Sequence, residues 1–271
     1  MHYYRHEPAA PLSALIEYLW MVTDGPTPRQ VRIVPNGAFE LVIHLTKDEV
    51  RVYDPTNPGS CRRYSGTVVS GVYSRFGVID SQEHSSIIGV HFRPGGAFPF
   101  FGIRSDELAD THVDLETFWG RDAGNLRDHL CSTNSPEQRF QILEQSLMSH
   151  LNCSIPRRRE VLYALKVLQT GTASIADVVK TLELSHRRFI EVFTSEVGIT
   201  PKLFDRIQRF QCFVRLAAMS PAPDWGELAV ECGYFDQSHL IRDCHSFSGF
   251  SPTEYKRHLL LPIKEGHIAL D

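Results

Sequence analysis

The chain reads as an α+β protein: a strand-rich N-terminal region that turns helical, followed by an all-helical C-terminal region. Three observations carry this. From Val31 to Pro94 the 271-residue sequence breaks into short apolar runs separated by Gly, Pro, Asn and Asp, as in an antiparallel sandwich or barrel. After Pro94 the apolar spacing lengthens to that of amphipathic helices. Beyond Ile155 a pattern of two short helices around a tight turn occurs twice, about fifty residues apart.

In chain order, Leu12, Leu15, Ile16 and Leu19 fall at helical spacing ahead of Trp20-Met21-Val22, which predicts a short helix running into a strand. VRIVP, FELVIHL, VRVYD, TVVSGVYS, FGVID and SIIGVHFRP are the candidate strands. GGAFPFFGI is glycine-rich and aromatic. DELADTHVDLETFWGRDAGNLRDHL, with Leu115, Phe118 and Trp119, and SPEQRFQILEQSLMSHL, with Phe140, Leu143, Leu147 and Leu151, then read as amphipathic helices. A polar, proline-containing connector from Asn152 to Arg159 marks the expected boundary between an N-terminal domain, 1–154, and a C-terminal domain, 155–258. Residues 259–271 form a partly apolar tail that the pattern does not place.

Glu160 to Gln169 is a helix leading the second domain. Ser174 with Asp177 then opens a helix carrying Ile175, Val178, Val179 and Leu182, and a second starts at Ser185 with Phe189, Phe193 and Val197 inward. Leu203 to Met219 reads as a long helix whose Phe204, Ile207, Phe210, Phe213 and Val214 can pack on what lies to either side. The second copy opens with Asp224 and Glu227, and its Trp225, Leu228, Ala229 and Cys232 fall at i, i+3, i+4, i+7. Gly233 lets the chain turn, after which Leu240, Cys244 and Phe247 form a buried row. The copies end alike, in Gly198-Ile199-Thr200-Pro201 and Gly249-Phe250-Ser251-Pro252, where glycine stops a helix, a hydroxyl caps the next and proline takes its first position. Residues 174–197 and 224–248 are therefore expected to be two helix-turn-helix units joined by a long helix.

The tandem pair, and above all CGYFDQSHLIRDCHSFSGFSPTEY, resembles the C-terminal DNA-binding domain of AraC/XylS-type transcriptional regulators, over roughly Arg157 to His258. The pieces RIVPNGAFELVIHL and IIGVHFRPGGAFPFFGI resemble, less specifically, the N-terminal domain of one subgroup of those regulators. The resemblance implies a sequence-specific regulator reading two successive major-groove segments of double-stranded DNA, with RNA polymerase as a partner. It also implies a cupin-like barrel or sandwich in the N-terminal domain with a regulatory or dimerising role; a small-molecule effector and a homodimer stay open. Base contacts fall by the resemblance on Gln237, Ser238, His239 and Arg242 in the second copy, and on Arg187, Ile190 and Glu191 in the first. Arginine can pair with guanine O6 and N7 and glutamine with adenine N6 and N7, while isoleucine can touch a thymine methyl and glutamate accept from cytosine N4. Arg188, Lys202 and Arg206 are candidates for phosphate contacts. For each of these residues the competing explanation is a solvated helix face.

Composition narrows the alternatives. The formal charge of −4 divides unevenly: residues 155–258 hold 14 Lys plus Arg against 12 Asp plus Glu, a net of +2, and residues 1–154 hold 13 against 18, a net of −5. Only the second domain has a charge suited to DNA, and it is weakly basic, so affinity should rest on placed arginines. The six cysteines form no C-x-x-C pair, and no apolar run approaches bilayer length, so a cytoplasmic protein with reduced thiols is expected. No nucleophile–base pattern and no glycine-rich phosphate loop appears, so neither a catalytic residue nor a cofactor is expected. A DNA-repair methyltransferase would want a cysteine in a basic Pro-Cys-His-Arg setting, which none of the six has. Glu40 and His44, on one strand face by their spacing, with His84 and His91, are residue types that could hold a metal; hydrogen-bonded or rim histidines are the ordinary explanation. A metal-dependent cupin-type enzyme fused to a DNA-binding module, and an interaction module that no longer binds DNA, are the competing functions.

Overall fold

The computed structural model describes residues 2–23, 30–54, 57–80, 86–155 and 157–258, with the backbone of 267–269. Its strands are β1 (His2–His6), β2 (Ile16–Thr23), β3 (Gln30–Ile33), β4 (Glu40–His44), β5 (Glu49–Asp54), β6 (Asn57–Ser65), β7 (Thr67–Ser70), β8 (Gly77–Asp80), β9 (Ile87–Phe92), β10 (His112–Asp114) and β11 (His267–Ala269). They form two antiparallel sheets, ordered β1-β2-β9-β4-β7-β10 and β11-β3-β8-β5-β6. This alternating order is that of a jelly roll. Among the described residues neither sheet is hydrogen-bonded into a ring, so the architecture is a sandwich and not a closed barrel.

Period-2 alternation positions the first sheet. Leu19, Met21, Leu41, Ile43, Ile88, Val90 and Phe92 point into the main core, while Tyr18, Trp20 and Val22 pack with Val42 and Ile87 on the other face. Both faces are covered, which is why these strands read as nearly continuous apolar runs. Trp20 lies so close to β9 that a side chain on Gly89 would meet its ring at 2.4 Å, which gives this strand glycine a steric reason.

Every expected strand is present, and four further strands were not legible, one of them β11 in the unplaced tail. β1 and β6 are edge strands with polar sequences, HYYRH and NPGSCRRYS, that protect a sheet edge but carry no apolar alternation. β10 lies inside the stretch 106–130 expected to be helical, where His112, Val113 and Asp114 pair with Ser70, Val69 and Val68. That stretch goes on as two helices, α2 (Glu116–Trp119) and α3 (Arg121–Ser132), separated by Gly120 at φ 55°. The helical spacing near Leu12 produces only a 3-10 turn, Leu12–Ala14, before β2.

The remaining helices are α1 (Phe98–Phe101), α4 (Pro136–His150), α5 (Arg159–Thr170), α6 (Ile175–Thr181), α7 (His186–Val197), α8 (Pro201–Met219), α9 (Trp225–Glu231), α10 (Gln237–Ser248) and α11 (Pro252–His258). In α8, Phe204, Ile207, Phe210, Phe213 and Ala217 are fully buried, and this 19-residue helix joins the two helical pairs. One continuous apolar cluster runs from β2, β4 and β9 through α3 and α4 to the C-terminal helices. The backbone of β11, within the tail the sequence left unplaced, pairs with β3 at the edge of the second sheet.

Candidate nucleic-acid interface

Each helical pair is built by local signals. Ser174 accepts from the Asp177 backbone N–H while the Asp177 carboxylate accepts from the Ser174 N–H, a reciprocal capping box at the start of α6. Ser185 caps α7 by accepting from Arg188 N–H. In the second copy Asp224 alone caps α9, accepting from the N–H groups of Gly226 and Glu227, and Asp236 caps α10 by accepting from His239 N–H. The turns differ. Gly233 supplies a positive φ of 78° in the second, whereas the first uses Glu183 at φ 53°, a conformation that costs a non-glycine residue roughly 1–2 kcal/mol.

Counting from the caps sets α7 and α10 in register: His186 matches Gln237, Arg187 matches Ser238, Arg188 matches His239 and Glu191 matches Arg242. His186 was missed as a candidate; it is exposed at the first position of α7, and the signal that finds it is the cap of that helix. The inward rows are as expected, with Phe189, Phe193 and Val197 in α7 and Leu240, Cys244 and Phe247 in α10 all buried. In the first copy His186, Arg187, Arg188 and Glu191 are exposed and Ile190 is half-buried. Arg188 Nη1 donates to Glu191 Oε2 at 3.0 Å, so this face partly neutralises itself. In the second copy Gln237, Ser238 and Arg242 are exposed, and His239 is half-buried edge-on against Tyr234 at 5.2 Å between ring centroids. Arg242 Nε donates to the Ser238 carbonyl at 3.3 Å, which steadies its stem and leaves the rest of the guanidinium facing solvent.

The three phosphate candidates separate. Lys202 is exposed in the first turn of α8, and Arg188 is shared with Glu191. Arg206 instead directs Nη2, at 2.7 Å, and Nε, at 3.2 Å, onto Oδ1 of Asp243, whose side chain is buried, and it lies 5.1 Å over the Phe247 ring. That pair pins α10 to α8, a structural role the sequence did not suggest. Burial pushes the Cys244 thiol up to about 12 and also raises that of Cys232, so both stay protonated and unreactive.

The sandwich grips both pairs from behind. Ser105 Oγ donates to the Glu196 carbonyl of α7 at 2.8 Å, and Arg157 donates to the Pro94 carbonyl at 2.7 Å while lying 3.6 Å from Glu196. Arg32 of β3 donates to the Ser248 carbonyl at the end of α10 at 2.7 Å and sits between the rings of Phe76 and Phe250. Gln211 of α8 donates to the Pro35 carbonyl at 2.6 Å. None of these contacts covers the exposed residues of α7 or α10.

Inside the sandwich, cross-strand pairing aligns Tyr18, His91, Glu40, Ser70 and His112 in one row across the first sheet. Glu40 accepts from Trp20 Nε1 at 3.0 Å and shares a hydrogen bond with His91 Nδ1 at 2.6 Å; Tyr18 stacks on His91. His44 does share the strand face of Glu40, but four residues of strand place them about 13 Å apart. Burial, with Lys47 and Arg127 nearby, holds the His44 pKa down at about 4, a setting hostile to a cation. His84 lies outside the described residues, among which no three His, Cys, Asp or Glu side chains come together as a metal site.

The fold and the two capped helical pairs define a helix-turn-helix protein. Residues 178–258 match the model of a family described as a helix-turn-helix domain, and the C-terminal region is a helix-turn-helix domain of the AraC type. Residues 4–114 match a domain of unknown function (DUF6597). No curated protein matches the chain. Among solved structures the chain is similar to an apo form of ToxT from Vibrio cholerae, at 13% identity over 89% of this chain and 97% of that one with a TM-score of 0.49. It is similar also to unsaturated fatty acid-bound ToxT from Vibrio cholerae, at 12% identity over 88% and 93% with a TM-score of 0.47. The C-terminal domain of AraT, a response regulator from Geobacillus stearothermophilus, matches 40% of this chain and 90% of its own length at 21% identity, with a TM-score of 0.35. Likenesses this distant bring neither ligand nor partner to this chain. No described helix is long and apolar enough to cross a membrane.

Proposed function

We propose that this protein is a sequence-specific transcriptional regulator that reads two successive major-groove segments with one polypeptide, acting by binding and not by catalysis. The observation that carries the proposal is the pair of capped, outward-facing helices α7 and α10, each with a buried apolar row and an exposed polar row, joined by the rigid core helix α8. A helix of that kind, entering by its N-terminal residues, fits the major groove. The second copy holds the better base-reading set, Gln237, Ser238, His239 and Arg242, and the first offers Arg187, Ile190 and Glu191 with the added His186. Lys202 and Arg188 are the phosphate contacts of this proposal. The division at residues 154 and 155 separates a regulatory half from a DNA-binding half in function, although the two share one core. Regulation through a small molecule or a second copy of the chain, and contact with RNA polymerase, belong to this proposal through the resemblance to AraC-type regulators.

The test is equilibrium binding of the full chain to a random duplex library at two salt concentrations. The expected result is enrichment of a defined sequence, with log affinity falling linearly as log salt rises. Binding without enrichment would contradict the sequence-specific reading, and no binding at all would contradict it and favour the interaction-module alternative.

A further inference from the structure

The two helix-turn-helix units differ by one residue, and the structure shows where it goes. From cap to cap the first unit runs Ser174 to Ser185 and the second Asp224 to Asp236, one residue longer. After the positive-φ residue the first unit has only Leu184, partly buried against the core, before its cap. The second has Tyr234 and Phe235. Tyr234 is 4% exposed and takes the packing place that Leu184 holds, while Phe235 is 90% exposed, the most exposed large apolar side chain among the described residues. The fold therefore makes no use of the added ring. It stands immediately before the cap of α10, next to the exposed Gln237 and Ser238.

We infer that Phe235 is a specificity residue of the second unit, whose ring meets the C5-methyl group of a thymine at the edge of the segment read by α10. This rests on the DNA-binding proposal above. Helices of this kind present their N-terminal residues to base edges, so the residue just outside the cap is carried to the same groove wall. The thymine methyl is the one apolar group each base-pair set offers there, and phenylalanine is among the side chains that contact it. The ring is followed by three exposed polar residues, Asp236, Gln237 and Ser238, a setting that suits contact with a single methyl at a base edge. The first unit, lacking the residue, has no counterpart.

The experiment measures full-length wild type and Phe235→Ala against the duplex enriched by the wild type, and against the same duplex with each thymine replaced in turn by uracil, which removes only the methyl. Because the ring is exposed, Phe235→Ala should keep the wild-type melting temperature. It should bind the thymine duplex about fourfold more weakly, the worth of roughly one buried methylene. One uracil position should cost the wild type the same factor and cost Phe235→Ala nothing further. Independent, multiplying losses at every thymine would overturn the inference, as would unchanged affinity of the variant. Unchanged affinity together with reduced transcription in the presence of polymerase would assign the ring to a protein partner and overturn it equally. A wild type that binds no duplex would defeat the DNA-binding proposal and this inference together.

Discussion

Glu183 shows what a single residue can hide from sequence. Glutamate carries no turn signature, yet it holds the left-handed position in the first unit that Gly233 holds in the second. Glu183→Gly should relieve that strain against the greater chain entropy of glycine and stabilise the protein by about 1 kcal/mol, a rise in melting temperature of about 2–4 °C; an unchanged or lower melting temperature would show the turn to be unstrained. Two histidines, one buried and one half-buried, make stability depend on pH. His44 and His112 are each depressed to about 4 by burial, aided by neighbouring cations. Between the ordinary histidine value near 6.5 and about 4 the unfolded chain then binds more protons than the folded one. Stability must therefore fall as pH drops through that window. Burial raises the Glu196 carboxyl, which works in the opposite sense, so the comparison is made by variant: His44→Gln should flatten the decline in melting temperature from pH 7 to pH 5, and an unaltered slope would mean that the His44 pKa is not depressed in the folded chain. The exposure of Arg242 and Gln237 was legible because helical spacing alone turns them away from Leu240 and Cys244. The buried pairing of Arg206 was not, because nothing local in either sequence stretch tells Arg206 and Asp243 that they meet.

At the level of elements, the C-terminal helices were legible almost to their ends, since caps, glycines and prolines act within a few residues. The N-terminal strands were legible where two-sided burial made them apolar, and lost in β1, β6 and β10, where edge position leaves polar sequences. The ion pair of Arg206 with Asp243 fixes how α10 stands on α8. Arg206→Ala should leave a buried carboxylate short of its cation and cost about 2 kcal/mol, below the range for fully buried pairs because the arginine is partly solvated. Its salt slope for DNA should stay that of the wild type. A slope reduced by about one with stability intact would return Arg206 to the phosphate contacts. On the proposed function the helices α7 and α10 are unequal readers. Arg242→Ala should cost about 1–3 kcal/mol of affinity and relax preference at one base pair, whereas Arg188→Ala should weaken all duplexes alike. Titration of both variants over the enriched library checks this, and uniform loss from Arg242→Ala would mean that α10 presents another face.

On the scale of the whole molecule, the sandwich is no loosely tethered companion. It holds α7 through Ser105 and the carbonyls around Arg157, holds the end of α10 through Arg32, and holds α8 through Pro35. A polar, proline-containing connector in the sequence suggested two separate bodies; the shared apolar cluster was invisible because each half brings its own periodic pattern. The consequence is mechanical: the spacing and facing of α7 and α10 are set by α8 and by the sandwich together, so a change in the N-terminal half can reach both helices through Arg32 and Glu196. The central claim is that one chain reads two segments on one side of the duplex. Methylation interference at guanine N7, measured with full-length protein on the enriched duplex, tests it most directly. Two clusters of interference about 10 base pairs apart on one DNA face are the predicted result; a single cluster, or two on opposite faces, would contradict it.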